Sequence, residues 1–278
     1  MKLTHIVIGI GTFSSKYPCP YGECYQNEET DEWIKGENRT FRNITENNEK
    51  WKQRSRSKLG NRKVLKNFKN CEFVPLFGSE DPDTPVLFKI PPPPLHTILL
   101  GPVNHIIDSL KKQHPSLTKI LEKLNIQKAK YHGQKFEGNQ CRKILKNIKK
   151  FKIPYDLHEY KTVLTSLSDL HKVCNQELLS YRYTEVIDKF SSSWSKLTSK
   201  FDISTTPKIH IILTHLEDYF DETELTLLKT TDELVESMHQ HVFKRMMKGY
   251  NVKNILSPKH GDMLLKLVLR INAYNLLL

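Results

Sequence analysis

No apolar run in this 278-residue chain approaches the roughly 20 residues that a membrane-spanning helix needs. The apolar stretch near the start, Ile6 to Ile10, is shorter than the core of a signal peptide and does not run into small residues. The five cysteines are odd in number and irregularly spaced. That is no disulfide framework, and it suits a reducing compartment. The sequons at Asn38 and Asn43 are then chance. Also missing are Gly-x-Ser-x-Gly, His-Glu-x-x-His and a kinase signature, as well as a phosphate loop or dinucleotide fingerprint. Acidic residues are scarce relative to basic ones: 31 Asp and Glu against 43 Lys and Arg, a formal net charge of +12 and a pI near 9.3. A polyanion is the natural partner of such a chain, nucleic acid before an acidic membrane surface. A lysine-rich solvated surface is the plain alternative. The expectation is an intracellular protein, nuclear rather than cytoplasmic, with no membrane partner and no protein partner specified.

The 38% of hydrophobic residues, with 12 Phe and 11 Tyr, suffices for a core. Residues 3–13 are rich in β-branched side chains and read as a buried strand. From Lys35 to Lys69 there are twelve Lys/Arg against three Glu. Trp33, Phe41, Trp51 and Phe68 are interleaved with them. Aromatics among cations stack bases while the charges meet phosphates, which nominates Lys52, Arg54, Arg56, Arg62 and Lys63. A long surface loop anchored by its aromatics is the competing reading. Residues 71–77 read as a short strand, and Val86 to Ile90 as a second short apolar run. Pro91 to Pro94 force an extended segment, which divides the chain into an N-terminal β-containing part, residues 1–90, and a helical part, residues 91–278.

Helical spacing follows from Leu99 to Leu110, Leu117 to Ile126, Asn139 to Phe151, Leu157 to Leu179, Tyr183 to Leu197, Thr230 to Tyr250 and Pro258 to Leu277. Ile209 to Leu213 fits either a strand or a buried helical segment. The 139–151 helix sets Ile144, Leu145 and Ile148 on one side and nominates Arg142, Lys143, Lys146 and Lys149 for phosphate contacts. The fold class is α+β, mainly helical towards the C-terminus with a small N-terminal β segment.

Two constellations carry chemistry. Cys19 and Cys24, with four residues between them including Gly22, are half of a zinc site; Cys71 and a histidine would have to complete it from a distance. Two core thiols are the alternative. Glu233-x-x-Glu236-x-x-His239 places carboxylates on one helix face, as a magnesium-dependent nuclease requires, with His210 and His215 upstream to join them. An acidic helix face with an internal Glu–His pair is the alternative. Leu95-His96, Gly101 and Asn104-His105 form a third cluster, and Tyr131-His132-Gly133 with Phe136 to Asn139 a turn whose free N–H groups suit a phosphate. Cys141 and Cys174 belong to the core.

An ordered series of landmarks then suggests a family. It runs from Ser14 to Tyr21, Arg39-Thr40, Pro91 to His96, Leu100 to Asn104, His132-Gly133, Phe136 to Lys143 and Thr206 to His210, to Glu233, Glu236, Ser237 and His239. In this series the chain resembles transposable-element-derived, transposase-like proteins of invertebrate genomes. The resemblance implies a ribonuclease-H-like core with a helical insertion, holding divalent metal on two or three carboxylates. The late-helix carboxylate would be Glu233 or Glu236. Two others that the pattern expects, one ahead of Met1 and one near Phe88 or Lys89, have no counterpart here, and the Cys-Pro-x-Cys motif is stretched. The N-terminal β segment would then be an incomplete part of that core.

The expectation is a catalytically inactive, transposase-like remnant that binds DNA non-specifically. The alternatives are an active magnesium-dependent nuclease fragment of a longer protein and a non-enzymatic helical interaction module. The cofactors in view are magnesium at Glu233 and Glu236, or zinc at Cys19 and Cys24.

Overall fold

The computed structural model describes residues 2–230 apart from 12–15, 28, 31, 56–64, 77–79 and 130–134. It is mainly helical, with one small antiparallel sheet near the N-terminus. The two helices expected between Thr230 and Leu277 lie outside the described residues. Among the described residues no helix is long and apolar enough to cross a membrane.

The chain opens on a helix, α1 (Lys2–Ile8), not on the strand that its β-branched residues suggest. Strand propensity is a weak prior that tertiary contacts override. Gly9 ends the helix at φ +82°; a Cβ there would sit 2.2 Å from the Phe73 carbonyl oxygen, so only glycine fits this approach. Among the described residues the expected strands at 3–13 and 71–77 reduce to an isolated bridge, Ile10 to Cys71, flanked by backbone bonds from Gly11 to Asn70, from Glu72 and Phe73 to Gly9 and from Leu76 to Val7.

The sheet is a hairpin of β1 (Tyr25–Gln26) and β2 (Trp33–Ile34), with Tyr25 opposite Ile34. Helix α2 (Phe41–Ser55) then interrupts what the sequence suggests is a long loop. Its start is closed reciprocally: the Thr40 N–H donates to Asn43 Oδ1 and the Asn43 N–H to Thr40 Oγ1, both at 3.1 Å. These bonds satisfy groups that a helix N-terminus leaves open. Phe41 and Phe68 are buried, and Trp51 packs on Phe68 with ring centroids 5.8 Å apart. The interleaved aromatics therefore anchor the segment to the core.

Val86 to Ile90 forms a one-turn helix, α3 (Val86–Lys89). After the prolines, a π-helical turn (Leu95–Leu100) leads directly into α4 (Gly101–Gln113). Then follow α5 (Leu117–Lys123), α6 (Gly138–Lys146), α7 (His158–Cys174), α8 (Tyr183–Lys200) and α9 (Pro207–Thr223). Buried apolar residues form a continuous core from Ile8 to Leu227, across the proline segment. Cys141 and Cys174 are buried within it.

Helices α7 and α8 pair as an antiparallel hairpin. Lys200 reaches Glu159 (2.8 Å), Ser193 meets Ser166 (2.7 Å) and Lys189 reaches Asp169 (3.2 Å). The small serines let the backbones approach at the centre. For Ile209 to Leu213 the flanking residues decide in favour of helix: Thr206 caps α9 by accepting the Ile209 N–H, and Pro207 occupies the first turn. The buried face of α9 carries Ile209, Ile212, Leu216 and Phe220, which seats His210 and His215 inside the molecule.

Candidate metal centre

Cys19, Cys24, His210 and His215 converge. One ligand atom from each lies within 4.8 Å of the other three, and all four residues are buried. His215 Nε2 is 3.2 Å from Cys19 Sγ and 3.9 Å from Cys24 Sγ. Zinc bonds of about 2.3 Å to sulfur and 2.0 Å to nitrogen put tetrahedral ligands about 3.5 Å apart, so the four side chains stand close to that arrangement. The cysteines come from the knuckle before β1, and the histidines from α9.

The knuckle is fixed by its neighbours. Glu23 N donates to the Glu37 carbonyl and Arg39 N to the Tyr21 carbonyl, both at 2.8 Å. The fully buried Arg39 side chain donates from Nε to the Cys19 carbonyl (3.0 Å) and from Nη2 to the Lys69 carbonyl (2.7 Å). Gly22 is needed for proximity: a Cβ on it would lie 2.7 Å from Cys24 Sγ and 3.2 Å from His215 Cε1.

The histidines are oriented as well. Trp33 stacks flat on His210 and donates from its indole nitrogen to the Thr205 carbonyl at 2.7 Å. Thr214 Oγ1 engages His210 Nδ1 at 3.2 Å. The buried Nε2 of His210 is left without a hydrogen-bond partner, an orphan of the kind a metal ion satisfies. A partner on the far nitrogen fixes the tautomer of a metal-binding histidine in this way.

The electrostatics of the cluster are compatible with a cation. The Cys24 thiol is held well below its ordinary value by Cys19 first, against the opposing effect of burial, and also by the imidazoles of His210 and His215. Burial pushes the Cys19 thiol up, and Cys24 adds to the shift. A buried pair of thiols that shares one proton in this way has a thiolate ready for a cation. Burial lowers His210 from its ordinary value, so its ring is neutral and able to ligate.

Of the residues read from sequence, Cys19 and Cys24 stand in this cluster. Cys71 does not complete it: its sulfur accepts from Arg39 Nη1 at 3.6 Å. His210 and His215, expected beside Glu236 and His239, stand beside the two cysteines instead. Their spacing, His-x4-His, lies within the three to five intervening residues typical of zinc sites and was the signal available. Glu233, Glu236 and His239 lie outside the described residues.

The basic residues divide. Lys52 and Arg54 are exposed on α2, while Arg56, Arg62 and Lys63 fall outside the described residues. Arg142, Lys146 and Lys149 line one groove of about 580 Å³ with Lys172 of α7. Lys143 instead donates to the Asn125 carbonyl at 3.0 Å. Asp169, the acid in that groove, is held by Lys172 and Lys189 at 3.1 and 3.2 Å.

No protein-family model matches the chain, and no curated protein is significantly similar to it.

Proposed function

We propose that this protein is a zinc-structured, non-catalytic domain that binds nucleic acid. The convergence of Cys19, Cys24, His210 and His215 carries the reading. Four protein ligands, all buried, are the composition of a structural zinc site; a catalytic one keeps a position open for water. The ion would fasten the N-terminal knuckle to a helix about 190 residues later, and its binding free energy would become folding free energy.

The test is metal content of the purified full-length chain with its thermal unfolding. One zinc per chain is expected, lost in Cys24→Ser and His215→Ala, with a lower unfolding temperature after chelation. A chain that refolds with excess zinc and holds none would end this reading.

The groove beneath Arg142, Lys146, Lys149 and Lys172 supports the nucleic-acid half. Three cations from one helix and turn, and one from the facing helix, suit a phosphate backbone. Affinity for a labelled duplex of arbitrary sequence should fall steeply with salt. Lys146→Glu with Lys149→Glu should flatten that slope by about two phosphates' worth. Affinity that does not respond to salt would remove this half and leave the zinc reading intact.

A transposase-derived origin rests on the ordered sequence landmarks alone. The magnesium nuclease alternative turns on Glu233 and Glu236: cleavage that disappears in Glu236→Gln would favour it over a non-catalytic domain.

A further inference from the structure

Three stretches that take no part in the metal centre meet elsewhere. The π-helical turn and the first turns of α4 supply Leu100, Gly101 and His105. The segment before α6 supplies Lys135 and Phe136, and the start of α9 supplies Pro207 and Lys208. They border an open cleft of about 460 Å³, within the size range of small-molecule sites. π-Helical turns are rare and recur at functional sites.

The cleft is preorganised. Asn104 clamps the backbone of Phe136 through both ends of its amide: Oδ1 accepts the Phe136 N–H at 2.8 Å, and Nδ2 donates to the Phe136 carbonyl at 3.0 Å. A Cβ on Gly101 would fall 2.2 Å from Lys208 Cδ, so the glycine lets the lysine stem cross the helix at backbone level. His105 Nε2 donates to the Ser204 carbonyl at 2.8 Å. Burial keeps that ring neutral, which leaves Nδ1 as its acceptor.

The charge is one-sided. Among the described lining residues Asp108 is the one carboxylate. Its two oxygens are held by Lys128 at 2.9 Å and Lys135 at 2.5 Å. Lys208 adds a further cation from the opposite wall. Lys128, Lys135 and Lys208 thus set three cations against one acid. An anion entering the cleft would relieve their repulsion. Beneath the cationic rim the half-buried Leu100 and Pro207 offer apolar surface, with Phe136 packed behind them in the core.

We propose that the cleft binds a small organic anion joining a flat ring to a phosphate group, the chemistry of a nucleoside 5′-monophosphate, either free or at the end of a strand. The ring would lie against Leu100 and Pro207, and the phosphate at Lys135 and Lys208.

The test is calorimetric titration of the zinc-loaded full chain, carrying Lys146→Glu and Lys149→Glu to silence the basic groove. The probes are AMP, adenosine and inorganic phosphate. AMP is expected to bind at least about ten-fold tighter than either fragment of itself, a difference of about 1.4 kcal/mol. Lys208→Gln should weaken AMP about five-fold or more while zinc content and unfolding temperature stay unchanged. AMP binding no tighter than phosphate, or unchanged affinity in Lys208→Gln, overturns the proposal. Competition by a short single strand bearing a 5′-phosphate, but not by its 5′-hydroxyl twin, assigns the site to strand ends. Competition by neither assigns it to free mononucleotide. Equal competition by both shows that the phosphate is not recognised, and the proposal fails. Zinc content is read on the same sample, so failure here is separate from failure of the metal centre.

Discussion

Trp33 lies flat on the imidazole of His210, ring centroids 3.9 Å apart and planes 10° from parallel. The indole is itself anchored, through its N–H, to the Thr205 carbonyl just ahead of α9. One side chain thus ties the β-hairpin to the helix and sets the plane of the His210 ring, a proposed metal ligand. Its fluorescence should respond to zinc, and Trp33→Ala should weaken zinc by about 10- to 100-fold, the usual cost of losing a group that orients a ligand. Trp33→Phe, which keeps a ring face, should lie closer to the wild type. Competition against a chromophoric chelator measures both. Equal zinc affinity in all three proteins would mean that Trp33 only packs.

Gly22 gives a second prediction through contact distance alone. The site closes only because no side chain stands between Cys24 Sγ and His215 Cε1. Both atoms belong to the proposed ligands, and a bound zinc would fix their positions, so neither could retreat without spoiling a tetrahedral site. Gly22→Ala should therefore lose zinc affinity by about ten-fold or more while α7 and α8, remote from it, keep their helicity. Metal stoichiometry with circular dichroism on the same samples checks it.

Arg39 carries its guanidinium into the interior with no carboxylate bonded to it among the described residues; its donors end on the Cys19 and Lys69 carbonyls and the Cys71 sulfur. Arg39→Met would remove the charge but strand two carbonyls, at about 1–3 kcal/mol each if buried. A net loss of about 2–4 kcal/mol in unfolding free energy is expected, accompanied by weaker zinc binding because Cys19 loses its anchor. Denaturant unfolding with and without zinc separates the two effects. A variant as stable as the wild type would show that the guanidinium is dispensable.

What the sequence disclosed, and what it hid, follows from the range of the interactions involved. The faces of α6 and α7 were legible because Ile144, Leu145 and Ile148, or Leu164 and Leu167, repeat within one element. The start of α9 was not read: Ile209 to Leu213 fitted strand or helix, and the cap at Thr206 and Pro207 decided it only in the structure. The helix at Lys2–Ile8 was hidden, because its β-branched residues favour a strand and only the turn at Gly9 against Phe73 shows otherwise. Half of the metal centre was visible at Cys19 and Cys24. The other half was in plain view as His210 and His215, but no local pattern says which distant pair of histidines a pair of cysteines will meet. That depends on α9 running through the core behind the hairpin, a fact of packing rather than of spacing.

His171 provides a test that bears on neither ligand. It sits on α7 beside the basic groove, where burial first, and then the neighbouring Arg142, lower its pKa to about 4. The ordinary value is near 6.5. The folded state therefore disfavours the charged ring, and between pH 6.5 and 4 the unfolded chain binds more protons than the folded one. Stability from this residue is fully present above pH 6.5 and is lost as pH falls through that window. The loss is at most about 3.5 kcal/mol when complete, from about 1.4 kcal/mol per unit. His171→Leu keeps an apolar group of similar bulk and removes the titration. It should match the wild type at pH 7.5 to within about 1 kcal/mol and exceed it at pH 5. Acid also strips zinc from thiolates, so both proteins must be compared in the metal-free state at each pH. The difference between them isolates the histidine. Parallel loss of stability in the two proteins would show that His171 titrates as an ordinary surface histidine.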